Sequence, residues 1–222
     1  MKEVFKMESD IKLTGWSYDN KDNWIKPLPK AQSPINIVTR EAEPMIGEGR
    51  IILNYGHQVQ SLSNSEMYIE GTLKGLASIN GRPFFLNQFH FHASGEHTID
   101  GEYFPLELHI VHESQVGMLA VIAVLFEFGE ENQTFNELLE FMNKTDEDNH
   151  INLMNLMPSS FDYYHYLGSL TTPPLTENVE WYILMDRMTL SEEQWKKITS
   201  YHNHNFREAQ DLNNRKVLKK IF

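Results

Sequence analysis

Phe89-His90-Phe91-His92 sets two histidines against two phenylalanines in strict alternation. Successive side chains on a β-strand point to opposite faces, so this segment presents an apolar face (Phe89, Phe91) and an imidazole face (His90, His92). A second apolar run, Glu107-Leu-His-Ile-Val111, carries a further histidine at His109. Paired as neighbouring strands, the two runs bring three imidazoles to one point. Three neutral nitrogen ligands with a fourth position open form the donor set of a catalytic zinc site. An isolated His-x-His strand is ordinarily a packed or surface pair. Here Gln88 and Glu107 each lie two residues before a histidine, on its face, where they can accept its second ring N–H. Burying so many polar strand side chains without a compensating ion would be costly. His112 has the opposite face parity to His109, and His97 follows Glu96 in a turn-like stretch. Both are expected to be structural hydrogen-bonding groups.

With 222 residues, 41% hydrophobic and 12% aromatic, the chain is long enough to fill one sizeable core. It reads as one domain over 1–222, with 1–13 as an N-terminal extension. Strand-like runs fall at 50–54, 59–62, 67–69, 84–92, 104–112, 117–127 and 179–185, separated by turn signals such as Asn80-Gly81 and Asp100-Gly101. Residues 14–36 are irregular, with Trp16 and Trp24 as anchors. Helical spacing of Phe135, Leu138, Leu139 and Met142 predicts a helix over 134–142 with Thr134 as N-cap. Ser191 and Gln194 form a capping box for a second helix running to about Tyr201, with Leu190 as its hydrophobic staple. The fold class is therefore mainly β, with a few short helices.

A net charge of -12 argues against binding nucleic-acid phosphates or anionic membranes. No run approaches the roughly 18 apolar residues of a membrane span, and the first ten residues lack a signal-peptide hydrophobic region, so the chain reads as soluble. The absence of cysteine excludes disulfides, thiolate ligands and a cysteine nucleophile.

Gln88-Phe-His-Phe-His92, Ser94-Gly-Glu-His-Thr-Ile-Asp-Gly101, Glu107-Leu-His-Ile-Val-His112 and Gly168-Ser-Leu-Thr-Thr-Pro-Pro-Leu175 together resemble the α-class carbonic anhydrases of bacterial type. The resemblance extends from Gly15-Trp-Ser-Tyr18 through Gln32-Ser-Pro-Ile-Asn36 to Asn205-Phe-Arg207, nearly the whole chain. It implies a large, twisted, mostly antiparallel central sheet with a few short peripheral helices and with Zn²⁺ in a conical cleft, bound by His90, His92 and His109 and supported by Gln88, Glu107 and Asn205. It implies reversible hydration of CO2 to bicarbonate and a proton, through attack by zinc-stabilised hydroxide. In that scheme Thr171 donates to an anionic Glu96 and orients the nucleophile, and Thr172 contacts bicarbonate. Tyr18 belongs to the active-site water network, and His57 shuttles the proton out. Val111, Val121, Leu170, Val179 and Trp181 form the apolar pocket for CO2. Tyr55 and Gln60 stand where the family has asparagines, a departure near the shuttle. Hydrolysis of activated esters is an implied side reaction. Resemblance to bacterial members also implies a periplasmic or secreted enzyme and suggests a homodimer, although the disulfide common among them is ruled out here.

Two other readings compete. His90-x-His92-x-x-x-Glu96 has the local spacing of a cupin metal motif with Glu96 as a ligand, but the Pro-x-Gly of a second cupin motif is missing around His109. A non-enzymatic binding module on the same fold is disfavoured by the intact His90, His92, His109, Glu96 and Thr171 set.

Overall fold

The computed structural model describes residues 17–24, 31–64, 68–142, 151–202 and 204–222. In chain order the strands are β1 (Asn36–Ile37), β2 (Glu43–Pro44), β3 (Ile51–Tyr55), β4 (Ser61–Asn64), β5 (Ile69–Thr72), β6 (Gly75–Ile79) and β7 (Arg82–His92). They continue with β8 (Thr98–Ile99), β9 (Leu106–Glu113), β10 (Leu119–Phe128), β11 (Tyr163–Ser169), β12 (Glu177–Leu184), β13 (Met188–Leu190) and β14 (Leu218–Lys220). Among the described residues, twelve of these strands join one sheet, whose main path runs β2-β14-β11-β12-β10-β9-β7-β5-β4. The sheet is mixed: most pairs are antiparallel, while β10 runs parallel to β12 and β13, and β14 parallel to β2.

The centre of the sheet is buried on both faces. β10 reads Leu-Ala-Val-Ile-Ala-Val-Leu-Phe through its first eight residues, the near-continuous apolar run expected of such a strand. One face carries Phe89, Phe91, Leu108, Ile110, Ile122 and Val124, and packs with Phe135 and Leu138 of helix α1 (Gln133–Phe141) and Ile198 of helix α2 (Glu192–Thr199). Val111, Val121, Val179, Trp181 and Ile183 form a second cluster on the other face. The helices thus lie on the side of the sheet away from the histidines. No described helix is long and apolar enough to cross a membrane.

β7 departs from simple alternation. Its register against β9 shifts between Leu86 and Gln88, leaving Asn87 as an extra residue. This bulge lets Phe84 and Leu86 share the apolar face with Phe89 and Phe91, while Gln88, His90 and His92 keep the other.

The helix expected from Thr134 instead has Asn132 as N-cap, its side chain accepting from Phe135 N at 3.2 Å. Asn caps as well as Thr and comes two residues earlier, so Thr134 falls inside the helix, where its hydroxyl accepts from Asn155. The second helix has the expected capping box at Ser191 and Gln194. Strands β1, β2, β6, β8, β11, β13 and β14 fall outside the runs that the sequence pattern marks as strands. Residues 1–13, Trp16 and Met67 lie outside the described residues.

Candidate metal centre and active site

Register alone brings the histidines together. On β7 and β9, His90 faces His109 and His92 faces Glu107. The three ring centroids lie 4.8 Å (His90–His92), 5.1 Å (His90–His109) and 4.5 Å (His92–His109) apart. One nitrogen from each ring falls within 4.8 Å of the other two. All three residues are buried.

Each ring's other nitrogen is held by an acceptor. His90 Nδ1 meets Gln88 Oε1 at 2.8 Å, His92 Nδ1 meets the Asn205 carbonyl at 2.7 Å, and His109 Nε2 meets Glu107 Oε1 at 2.7 Å. These acceptors place the ring protons outward and leave the lone pairs of His90 Nε2, His92 Nε2 and His109 Nδ1 turned toward one another. Burial lowers the pKa of all three, that of His92 to about 4, so the rings are neutral at physiological pH. His92 Nε2 is buried and makes no hydrogen bond among the described residues. A buried lone pair left without a proton donor, in a converging set of three, is what a divalent cation with a preference for nitrogen would satisfy.

Glu107 is fixed from four sides. Oε1 accepts from His109 and from His97 Nδ1 at 2.6 Å, and Oε2 accepts from the backbone N–H groups of Glu96 (2.6 Å) and His97 (2.8 Å). Burial alone would push its pKa up, but His97 and His109 hold it well below the usual carboxylate range. His97 continues through Nε2 to the Tyr166 hydroxyl at 2.7 Å, and so acts as a buried structural link. His112 lies on the opposite face against the Tyr55 hydroxyl at 2.7 Å.

Glu96 has one oxygen committed and one turned inward. Oε1 accepts from Arg207 N at 2.7 Å, whereas Oε2 lies 3.5 Å from His92 Nε2 and 3.9 Å from His109 Nδ1 without hydrogen-bond geometry. Burial pushes the carboxyl pKa up to about 7; His109, the Thr171 hydroxyl and the Arg207 amide pull it the other way. Thr171 itself is buried and reaches the cavity wall.

The cavity in front of the histidines has a volume of about 290 Å³. Val111, Leu119, Val121, Leu170 and Trp181 give it an apolar wall, while Tyr68, Asn87, Gln88, Thr171 and Thr172 supply polar atoms. Val179, expected in this wall, is not part of it. It is fully buried in the cluster with Val121 and Trp181, and its register partner Leu119 reaches the cavity instead. Tyr18 stands edge-on to His92, ring centroids 6.5 Å apart. His57 is exposed and lines a neighbouring cleft with Gln60 and Lys74; the two hollows share Asn87.

A family-wide sequence model described as eukaryotic-type carbonic anhydrase matches residues 19–221. The chain belongs to that family. It is 36% identical over 200 residues to a carbonic anhydrase of Klebsiella pneumoniae, covering 84% of this chain and 79% of the relative. An alpha carbonic anhydrase 3 of Arabidopsis thaliana is 35% identical over 218 residues, covering 91% and 78% respectively. Among solved structures, the alpha-carbonic anhydrase of Thermovibrio ammonificans in complex with the inhibitor sulfanilamide superposes with a TM-score of 0.85 at 32% identity, covering 92% of this chain and 99% of that one. Carbonic anhydrase membership makes the chain a lyase and displaces the cupin reading. The carbonic anhydrase site also contains residues not singled out from sequence: Tyr68, Asn87 and Leu119. Asn87 owes its place to the bulge, Leu119 to the parallel β10–β12 register, and Tyr68 to the pairing of β5 with β7; none of these leaves a local sequence signal.

Proposed function

We propose that this chain hydrates CO2 reversibly to bicarbonate and a proton, using Zn²⁺ held by His90, His92 and His109. The observation that carries the reading is the convergence of three neutral, buried imidazole lone pairs, each fixed by an acceptor on the far side of its ring. When bound, zinc lowers the pKa of a coordinated water and so supplies a strong nucleophile near neutral pH.

The chain's own residues do the rest. Val111, Val121, Leu170 and Trp181 seat an apolar, linear substrate and keep bulk water off the reacting carbon. Thr171 donates its hydroxyl proton toward Glu96 and accepts from the attacking oxygen, which aims a lone pair at CO2. For this Glu96 must be ionised, and a cation among the histidines favours that form. Tyr18, edge-on to His92, is placed to join the water network that leads away from the reacting centre. His57 takes the released proton in the adjoining cleft and passes it to buffer.

Stopped-flow CO2 hydration on zinc-loaded and chelator-stripped protein, with metal content measured in parallel, tests the proposal. Activity that disappears with zinc and returns on its re-addition is the expected result. One equivalent of bound zinc without hydration would overturn it in favour of a binding module.

A further inference from the structure

Tyr68 stands beside the three histidines, its ring against that of His90. The β5–β7 register pairs Glu70 with His90 and Gly71 with Phe89. Residues two apart on a strand share a face, so Tyr68 projects onto the imidazole side of the sheet. Its ring centroid lies 4.9 Å from that of His90 at an interplanar angle of 32°, and the ring lines the cavity. At about 290 Å³ the cavity is at the small end of ligand pockets, which start near 300 Å³. An aromatic side chain with only two rotatable bonds, backed by a strand, makes a rigid wall rather than a yielding one.

We propose that Tyr68 is a specificity-determining residue: its ring limits the space beside His90, so the cavity accepts CO2 and discriminates against carbonyl substrates with longer acyl chains. The inference rests on the hydration reading of the same site. It concerns the bulk of the ring and not the phenolic oxygen.

Two p-nitrophenyl esters serve as probes, the acetate and the butyrate; in each, water adds at the carbonyl carbon, the acyl–oxygen bond breaks and p-nitrophenolate leaves. Zinc-loaded wild type, Y68A and Y68F are compared by the butyrate-to-acetate ratio of kcat/KM, with zinc content measured for each. Calorimetric affinities for sulfanilamide and for a naphthyl sulfonamide give a second readout that does not depend on turnover. In Y68A the ester ratio should rise about tenfold or more, the discrimination that one or two methylenes carry in a tight pocket. The naphthyl compound should gain affinity relative to sulfanilamide in the same variant. Y68F should keep both wild-type ratios. Should Y68A not fold, Y68L carries the same comparison. An unchanged ester ratio in the shortened variant, or an equal shift in Y68F, would overturn the inference. If wild type hydrates CO2 in either case, the functional proposal stands and only the role of Tyr68 falls. A wild type that binds zinc but hydrates no CO2 removes the functional reading first, and with it this one.

Discussion

At His109 the lone pair turned toward the centre is on Nδ1, whereas at His90 and His92 it is on Nε2. The difference follows from which ring nitrogen each neighbouring acceptor holds. Strand parity made two of those acceptors, Gln88 and Glu107, legible in the sequence, because a residue two places away on a strand shares the ligand's face. The third, at Asn205, is implied by the family resemblance alone, since the acceptor is a backbone carbonyl, and a main-chain atom 113 residues from His92 has no signature in residue type. Removing a ligand and removing its support should differ in degree. H109A should abolish tight zinc binding and CO2 hydration, and full activity with one equivalent of zinc in that variant would reject the ligand assignment. E107A should keep the fold but weaken zinc affinity by about 10- to 100-fold, measured by competition with a chelating dye. For the exposed His57, H57A should reduce kcat more than kcat/KM, with recovery on adding imidazole buffer. Equal losses in both parameters would exclude a shuttle.

Among the elements, α2 shows a small motif doing more than its local pattern announced. Gln194 closes the capping box with Ser191, but its Oε1 also accepts from Asn132 N at 3.0 Å, and its Nε2 donates to Asn132 O (2.7 Å) and Asn136 Oδ1 (2.8 Å). The residue that starts one helix therefore also fastens the N-terminus of the other. S191A should cost about 1 kcal/mol, an ordinary cap loss. Q194A should cost about 2 kcal/mol, because the partly buried backbone N–H and C=O of Asn132 lose their partner too. Urea denaturation of the two variants checks this, and equal costs would mean that the link between helices contributes nothing. The capping box was readable because its two residues are three apart. The link was not, because Asn132 and Gln194 are 62 residues apart. The long apolar strands were readable for the same reason of locality. The bulge at Asn87, the parallel β10–β12 pairing and the short edge strands depend on neighbours and left little trace in the pattern.

Over the whole molecule, the buried histidines set how stability responds to pH. His92 and His112 are pushed down to about 4 by burial, so the unfolded chain takes up protons near 6.5 that the folded chain refuses until about 4. Their contribution is fully present above pH 6.5 and is lost as the pH falls toward 4, at about 3 kcal/mol each. His90 and His109 act in the same direction. Glu96, pushed up to about 7 by burial, acts the other way: its contribution is present below the ordinary carboxylate range and is lost as the pH rises through 7. Four groups outweigh one. Metal-stripped protein should therefore melt about 10 °C lower at pH 5 than at pH 7.5 by circular dichroism. Zinc should raise the melting temperature more at pH 7.5 than at pH 5, because protons compete for the same imidazole nitrogens. A melting temperature that holds steady or rises toward acid would contradict this account.

The hydrogen bond from His92 to the Asn205 carbonyl also bears on the order in which the molecule assembles. Pairing of β7 with β9 joins segments close in the chain and can form early, bringing His90, His92, His109, Gln88 and Glu107 together. His92 is not held in its ligand orientation until the segment around residue 205 has docked, where the Asn205 side chain also accepts from Ala93 N and donates to Phe91 O. High-affinity metal capture should therefore be a late event in refolding. In a stopped-flow experiment with a zinc-sensitive dye it should trail the burial of tryptophan fluorescence, so that the metal registers completion of the chain fold rather than guiding its beginning.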